Sequence, residues 1–528
     1  MYRLKPTVLF FAPALFVGWA LLASCAGGPH ALPPAVNARR LATPDAPIGL
    51  AVRLFDRVAD ITERIELANE AADASLAAGS PDDATLLLDY ARALIPFAPA
   101  TPRAATAAAN TAVQFAAVGR AAEAVQVLEA VFARLIEIPG AAERGAALEA
   151  IINASFLVGD ESFDLLTRVV QSIFVIEDLW TRVNLLTDTA VRYFRAGNRG
   201  TANALMQQAI PAAGSLADPW QRATAIGTLA VAHHRTDNRD AAITAVDSAM
   251  EEVRRSGNGT PGPAAAPYLL QMIDMVVLLS QQLTAVELVE RIDDPATRAQ
   301  GLSGVAVGFG REGARSAAYI FFSRAVREAS LVDDRGGRVR AMTDVASGYL
   351  GIGDTDLAVI QANGAASVTL QIPDPDAQIA AGRRVMAIYA RARERGRAET
   401  FLSDLPAGRV REEVALAFAQ ELLDDGLTGG EPADAPVLAD AREILRSYLA
   451  PGGSATAISG ARTAGAVARA FARVGDVENS ARWMDPTADP ASTAWALIAI
   501  GRLHPQMDSL SPADRDALER VRAAVAAR

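Results

Sequence analysis

The sequence has 528 residues, of which 51% are apolar and only 6% aromatic, and its net charge is −11. An acidic chain lacks the basic surface with which proteins bind nucleic acid, so no nucleic-acid partner is expected. Its one cysteine, Cys25, excludes both a disulfide framework and a cysteine-based zinc site. Abundant alanine, the best helix former, favours a chain built of closely packed helices.

The first segment has the features of an export signal. Arg3 and Lys5 precede an apolar run, residues 8–22, that is too short to span a bilayer and typical of a signal-peptide core. Leu22-Ala23-Ser24-Cys25 follows directly. This tetrapeptide resembles the lipobox of bacterial lipoproteins, in which a peptidase cuts before the cysteine. We therefore predict a lipoprotein signal peptide over residues 1–24.

The resemblance implies that Cys25 becomes the first residue of the mature protein and carries the lipid on its thiol and its amine. Several acyl chains make a durable membrane anchor. The alternative is an ordinary signal peptide that is cut nearby, for example after Ala26. Because Ala26 is not the aspartate that retains such lipoproteins in the inner membrane, the sequence favours the outer membrane.

Residues 25–47 are rich in Gly, Pro and Ala and show no apolar periodicity. Such a composition predicts a flexible tether between the lipid and the folded body.

The rest of the chain repeats one pattern, in which Ala, a large residue, a turn residue and a second Ala recur at fixed spacing. The predicted turn residues are Gly79, Gly119, Gly159, Gly197, Asp237, Gly313, Gly353, Arg393 and Gly475. Most neighbours are 38 or 40 positions apart, and the two intervals of 76 and 82 residues are about twice as long. Each long interval predicts one diverged hairpin, at 268–292 and 409–449, which gives about eleven hairpins.

Helix starts recur with the same period. Asp60, Asp178, Asp218, Asp294 and Asp334 are each followed four residues later by Arg, and Pro follows Asp218, Asp294, Asp374 and Asp489. Aspartate is a good N-cap, and proline suits the first helical position. We expect the arginines to pair with the aspartate of their own hairpin or of the next one.

This arrangement of Ala, aromatic, Gly, Ala, apolar and Ala resembles the tetratricopeptide repeat over roughly residues 56–505. The resemblance implies an all-α fold, an α-solenoid that winds as a right-handed superhelix of helix-turn-helix hairpins. The period near 40 departs from the family's usual length of about 34 residues. HEAT repeats, with a similar period, are the competing assignment.

Gly- and Pro-rich stretches divide the predicted body into three blocks. These are N-terminal repeats at 48–256, central repeats at 268–423, and C-terminal repeats with a capping helix at 437–528. A charged helix at the end of the chain would supply the polar outer face that a capping element needs.

No enzyme chemistry is predicted. The sequence contains no GxxxxGK[ST], HExxH or GxSxG motif. The adjacent His233 and His234 point about 100° apart on a helix, and His233 occupies the slot that aromatic residues fill in other repeats. We therefore expect packing at His233 and no metal or cofactor.

Arginine recurs two residues before the turn, at Arg195, Arg235, Arg311 and Arg473. One explanation is that cations in the last turn offset the helix dipole. The other is a row of guanidinium groups along one groove, suited to carboxylates or acidic peptides.

Hairpin stacks present an extended concave surface, which is their usual means of binding proteins and peptides. The sequence thus predicts a membrane-anchored envelope scaffold that binds a protein or peptide partner, with a role in envelope assembly. The alternative is an accessory or enzyme-like protein that binds cell-wall polymer or small ligands. A third possibility is a purely structural spacer. The oligomeric state is left open.

Overall fold

The computed structural model describes residue 35 and residues 38–256, 265–427, 435–449 and 461–526. These residues form 25 α-helices and a few short 3-10 helices, and no strand occurs among them. The predicted all-α class is therefore confirmed.

The helices of the first half are α1 (Pro47–Phe55), α2 (Ile61–Ala77), α3 (Pro81–Leu94), α4 (Pro102–Ala117), α5 (Ala121–Ala133), α6 (Ala141–Val158), α7 (Phe163–Ile173), α8 (Leu179–Arg195), α9 (Arg199–Gly214), α10 (Pro219–Arg235), α11 (Arg239–Arg255) and α12 (Ala266–Leu278). Those of the second half are α13 (Gln282–Val289), α14 (Pro295–Arg311), α15 (Arg315–Ser330), α16 (Arg335–Gly351), α17 (Thr355–Thr369), α18 (Pro375–Ala392), α19 (Arg395–Asp404), α20 (Arg409–Leu427), α21 (Ala435–Leu449), α22 (Ala461–Arg473), α23 (Val477–Trp483), α24 (Pro490–Leu503) and α25 (Pro512–Ala526).

Each hairpin turns at a residue with positive φ. All nine predicted turn residues have φ between +57° and +92°, and seven of them are glycines. Glycine is favoured there because it has no Cβ to clash with the neighbouring carbonyl. Ser280, which the pattern did not predict, supplies a further turn after α12 with φ +59°.

The aspartates predicted to start helices do so. Each accepts a hydrogen bond from a backbone N–H in the first turn of its helix, as at Asp60, Asp178, Asp218, Asp294, Asp334, Asp374 and Asp489. These bonds satisfy N–H groups that have no partner within the helix.

The arginines that follow were expected to pair with these aspartates, and the structure corrects that prediction. Each guanidinium donates instead to the backbone carbonyl six residues earlier, in the loop that precedes its helix. The donor and acceptor pairs are Arg64 and Val58, Arg182 and Ile176, Arg222 and Leu216, Arg298 and Ile292, and Arg338 and Val332. Arg144 and Arg411, which follow no such aspartate, donate in the same way to Ile138 and Leu405. The arginine therefore ties the start of its helix to the loop that precedes it.

Within the described ranges, consecutive helices pair as eleven hairpins, from α2–α3 to α22–α23, in agreement with the predicted number. The two diverged hairpins lie where the long intervals placed them. They are α12–α13, which begins two residues before the predicted 268–292, and α20–α21 within 409–449.

The stack closes on itself. Each even-numbered helix from α2 onward packs on the next even-numbered helix, and α24 packs on α2. α24 also packs extensively on α1, which contacts α2 as the second helix of a hairpin would. A twelfth pair is thus formed from the two ends of the chain, and the body is a closed ring.

The even-numbered helices form the inner wall of this ring. They contact one another all the way round, whereas most odd-numbered helices contact mainly the even-numbered helices beside them. Helices at the smaller radius are necessarily closer together, so the odd-numbered helices lie outside.

Polar and apolar contacts join the two ends at this seam. Arg502 lies 2.8 Å from Glu70 and 2.6 Å from Asp73, measured between guanidinium nitrogen and carboxylate oxygen. One hydrophobic core contains both Ile48 of α1 and Leu497 of α24. The C-terminal segment, expected to cap an open stack, instead packs on the N-terminal helices.

The body begins earlier than the sequence indicated. Leu41 and Ala46, at the end of the expected tether, are each only 5% exposed. The backbone N–H of Ala42 donates to Asp83 Oδ1 at 2.9 Å.

None of the described helices is long and apolar enough to cross a membrane. The signal peptide and Cys25 lie outside the described residues, and the division into three blocks stays a prediction.

Candidate functional site on the inner wall

The inner wall carries a groove of about 540 Å³ that crosses α12, α14, α16 and α18. We call it the inner groove; it is lined by Asp274, Val277, Leu278, Gln300, Ser303, Gly304, Val307, Arg311, Asp344, Ser347, Gly348, Gly351 and Arg391. Most of these residues stand two, six or nine positions before the turn of their hairpin. Positions with this spacing share one helix face, so the repeat itself builds the groove.

The floor of the inner groove depends on the close approach of α14 and α16. A Cβ at Gly348 would lie 2.2 Å from Ser303 Oγ and 2.8 Å from Phe322 Cε1. Phe322 is fully buried, and its ring stacks on Tyr349 with centroids 4.0 Å apart. Small residues on the inner side and large residues beneath therefore leave the groove open without loosening the hairpin.

Carboxylates project into the concave face. Burial among surrounding protein raises the pKa of Asp274 and Asp344 in the inner groove and of Asp188 on α8. Asp188 and Asp274 still have exposed surface. The cause is therefore the concave wall, which displaces water from around the carboxylates. The charge of Arg384, whose Nη1 lies 3.4 Å from Asp344 Oδ1, partly offsets the rise in the pKa of Asp344.

The four predicted arginines all lie in the last turn of an inner helix. Arg311 lines the inner groove. Arg235 is exposed, and its positive charge opposes the rise in the pKa of Asp188. Arg473 forms an ion pair with Asp424 at 2.8 Å. Arg195 is exposed on α8. The structure thus brings one of the four into the groove.

Sequence reasoning missed several groove residues that its own spacing rule identifies. Arg391 stands two residues before the turn at Arg393 and lines the inner groove beside Arg311. Asp344, which also lines the groove, stands nine residues before a turn, and Asp188 on α8 has the same position in an earlier hairpin. For the aspartates, the signal was a second position that faces the interior of the ring, nine residues before the turn. The prediction considered only the position two residues before the turn.

The raised pKa of Asp274 makes a prediction for stability. A carboxyl whose pKa is higher in the folded state binds its proton more tightly there, so its charge destabilises the fold at neutral pH. We expect Asp274→Asn to melt no lower than the wild type at pH 7. The difference should shrink as the pH falls toward 4 and the wild-type carboxyl becomes protonated. Thermal melts of both proteins across that range measure this, with the highly exposed Asp508→Asn as control. A gap that widens at low pH would contradict it.

His233 lies half-buried in the aromatic slot, and burial lowers its pKa. His234 is exposed. Among the described residues no group of three or more His, Cys, Asp or Glu side chains is placed to hold a metal ion.

No family model and no curated protein matches this sequence. Solved structures resemble it only distantly. Ton1535 from Thermococcus onnurineus NA1 is 13% identical with a TM-score of 0.27, and the match covers 63% of this chain and 96% of that protein. A Rap protein complexed with competence and sporulation factor is 13% identical with a TM-score of 0.25, covering 76% and 98%. The human IFIT1 dimer with PPP-AAAA is 11% identical with a TM-score of 0.27, covering 85% and 94%. Likeness at this level carries no argument about function.

Proposed function

We propose that this protein is a lipid-anchored scaffold of the bacterial cell envelope that binds protein or peptide segments on the inner wall of its ring. The inner groove carries the proposal. It offers both charges, positive from Arg311 and Arg391 and negative from Asp274 and Asp344. Such a surface suits an extended polar segment better than an apolar molecule.

The anchor in this proposal rests on the lipobox resemblance at Cys25. Residues 25–37 separate the lipid from the first described helical turn and would reach at most about 45 Å when fully extended. The ring would therefore stay close to its membrane, and the outer membrane is favoured. Partners would be other envelope proteins, met at the high local concentration that tethering produces.

A crosslinking pull-down from intact cells tests the proposal. We expect a discrete set of envelope proteins with the wild type, and fewer of them with Cys25→Ala. Arg311→Glu combined with Arg391→Glu should lower recovery about tenfold, because two charges of the groove are reversed.

The matched control reverses Arg255 and Arg327, which lie on outer helices and whose side chains are 67% and 74% exposed. Recovery should then be unchanged. If no protein is captured, or if both double variants lose partners equally, binding at the inner groove is refuted.

A further inference from the structure

The outer wall of the ring carries a second cavity, unrelated to the inner groove. It lies between α9 and α11, against α10, and has a volume of about 520 Å³. Its walls include Ile210, Ile226, Leu229, Ala241 and Ala245. We call it the outer cleft. Its size is within the range of small-molecule sites, about 300–1,000 Å³.

The outer cleft lies where the α10–α11 hairpin carries a small residue at a position that is large and apolar in most other hairpins. Eight positions after the turn, most hairpins place a large apolar side chain that packs into the outer wall: Leu87, Val127, Leu205, Leu288, Phe321, Phe401 and Trp483. The residue at this position in the α10–α11 hairpin is Ala245. The bulk that fills this space elsewhere is therefore missing here.

A second departure occurs at the same place. Four residues before the turn, six other hairpins carry an aromatic residue: Phe115, Tyr193, Phe309, Tyr349, Tyr389 and Phe471. Here the residue is His233, which lines the outer cleft and is half-buried. A smaller ring with two nitrogen atoms thus replaces an apolar or phenolic one.

The neighbouring helix adds a third departure. Pro211 lies inside α9 and has no N–H to donate to the carbonyl of Gln207, one turn earlier. Gln207 lines the outer cleft. The carbonyl of Gln207 therefore lacks its usual helical donor.

The chemistry of the outer cleft indicates its ligand. No ionisable carboxylate, lysine or arginine lines it, and burial keeps His233 neutral at pH 7 by lowering its pKa. A neutral imidazole has one donor and one acceptor. Ile210, on the wall, is 44% exposed, so apolar surface is left uncovered.

We propose that the outer cleft binds a neutral, mainly apolar small molecule that carries a hydrogen-bonding group opposite His233. The proposal goes beyond scaffolding and does not rest on it, because the cleft lies on the other side of the wall from the inner groove.

Titration of the mature full-length chain with the neutral fluorescent probe N-phenyl-1-naphthylamine tests this. We expect saturable binding of one probe per chain. Ala245→Leu restores the residue that other hairpins carry and should weaken binding about tenfold or more without lowering the melting temperature. His233→Phe should weaken it independently, since it fills the same space.

Gln361→Leu is the control, because Gln361 stands eight positions after the turn at Gly353 and does not line the cleft. It should leave probe binding unchanged. Binding that does not saturate, or that survives both Ala245→Leu and His233→Phe, would overturn the proposal.

Discussion

Replacing Gly501 by leucine should open the ring between α24 and α1. A Cβ at Gly501 would lie 2.5 Å from Ile48 Cγ1 and 3.4 Å from the backbone nitrogen of Ile48. The longer side chain cannot fit unless α1 moves, and forced overpacking of this kind costs about 1–3 kcal/mol. Hydrogen exchange in residues 47–58 and 490–503 should accelerate, and the radius of gyration from X-ray scattering should increase.

Gly396→Leu is the matched control for this prediction. A Cβ at Gly396, in the first turn of α19, would meet no atom within 4 Å. Leucine should therefore be tolerated and stabilise the helix by up to about 1 kcal/mol. Equal exchange rates at the seam in Gly501→Leu and wild type would show that α1 does not close the ring.

Replacing Phe322 by alanine should cause the largest loss of stability, about 3–5 kcal/mol. Phe322 is fully buried beneath the inner groove, stacks on Tyr349 and lies against Gly348. The substitution leaves a cavity that the neighbouring helices cannot fill. Urea unfolding measures the change in the free energy of unfolding, and loss of the partners captured by the groove should accompany it.

Phe163→Ala provides the comparison, because Phe163 is 53% exposed at the start of α7. Its removal should change the free energy of unfolding by less than about 1 kcal/mol. Equal losses for the two variants would contradict the described packing under the groove.

The repeat could be predicted because its chemistry is local. Turn residues such as Gly79 and Asp237 need positive φ, and N-caps such as Asp178 need a side-chain acceptor, so both appear in the sequence itself. The diverged α12–α13 hairpin was predicted from spacing alone, although its turn residue is Ser280.

Closure of the ring could not be predicted in this way. It depends on the small rotation between successive hairpins, which sums over the whole stack and leaves no mark in any one repeat. α1 is short, follows a tether-like stretch and packs on α24, which is more than 400 residues away in sequence.

The partners of the arginines were predicted wrongly for a related reason. The acceptor, as at Ile176 for Arg182, is a backbone carbonyl, and every residue has one.

The inner groove was predicted only in part. Arg311 follows from the row two positions before the turn, but its neighbours Asp274 and Asp344 come from different positions on two other helices. The outer cleft follows from what the α10–α11 hairpin lacks. That becomes visible only when Ala245 is compared with the other hairpins in three dimensions.

Site-specific photo-crosslinking in intact cells tests the central claim most directly. A photoreactive residue at Ser347 would stand in the inner groove, and one at Ile360, which is 57% exposed, would stand on an outer helix. If the inner wall binds protein segments, Ser347 should yield discrete crosslinked partners and Ile360 should not. Crosslinks from Ile360 alone, or the same products from both positions, would contradict binding inside the ring.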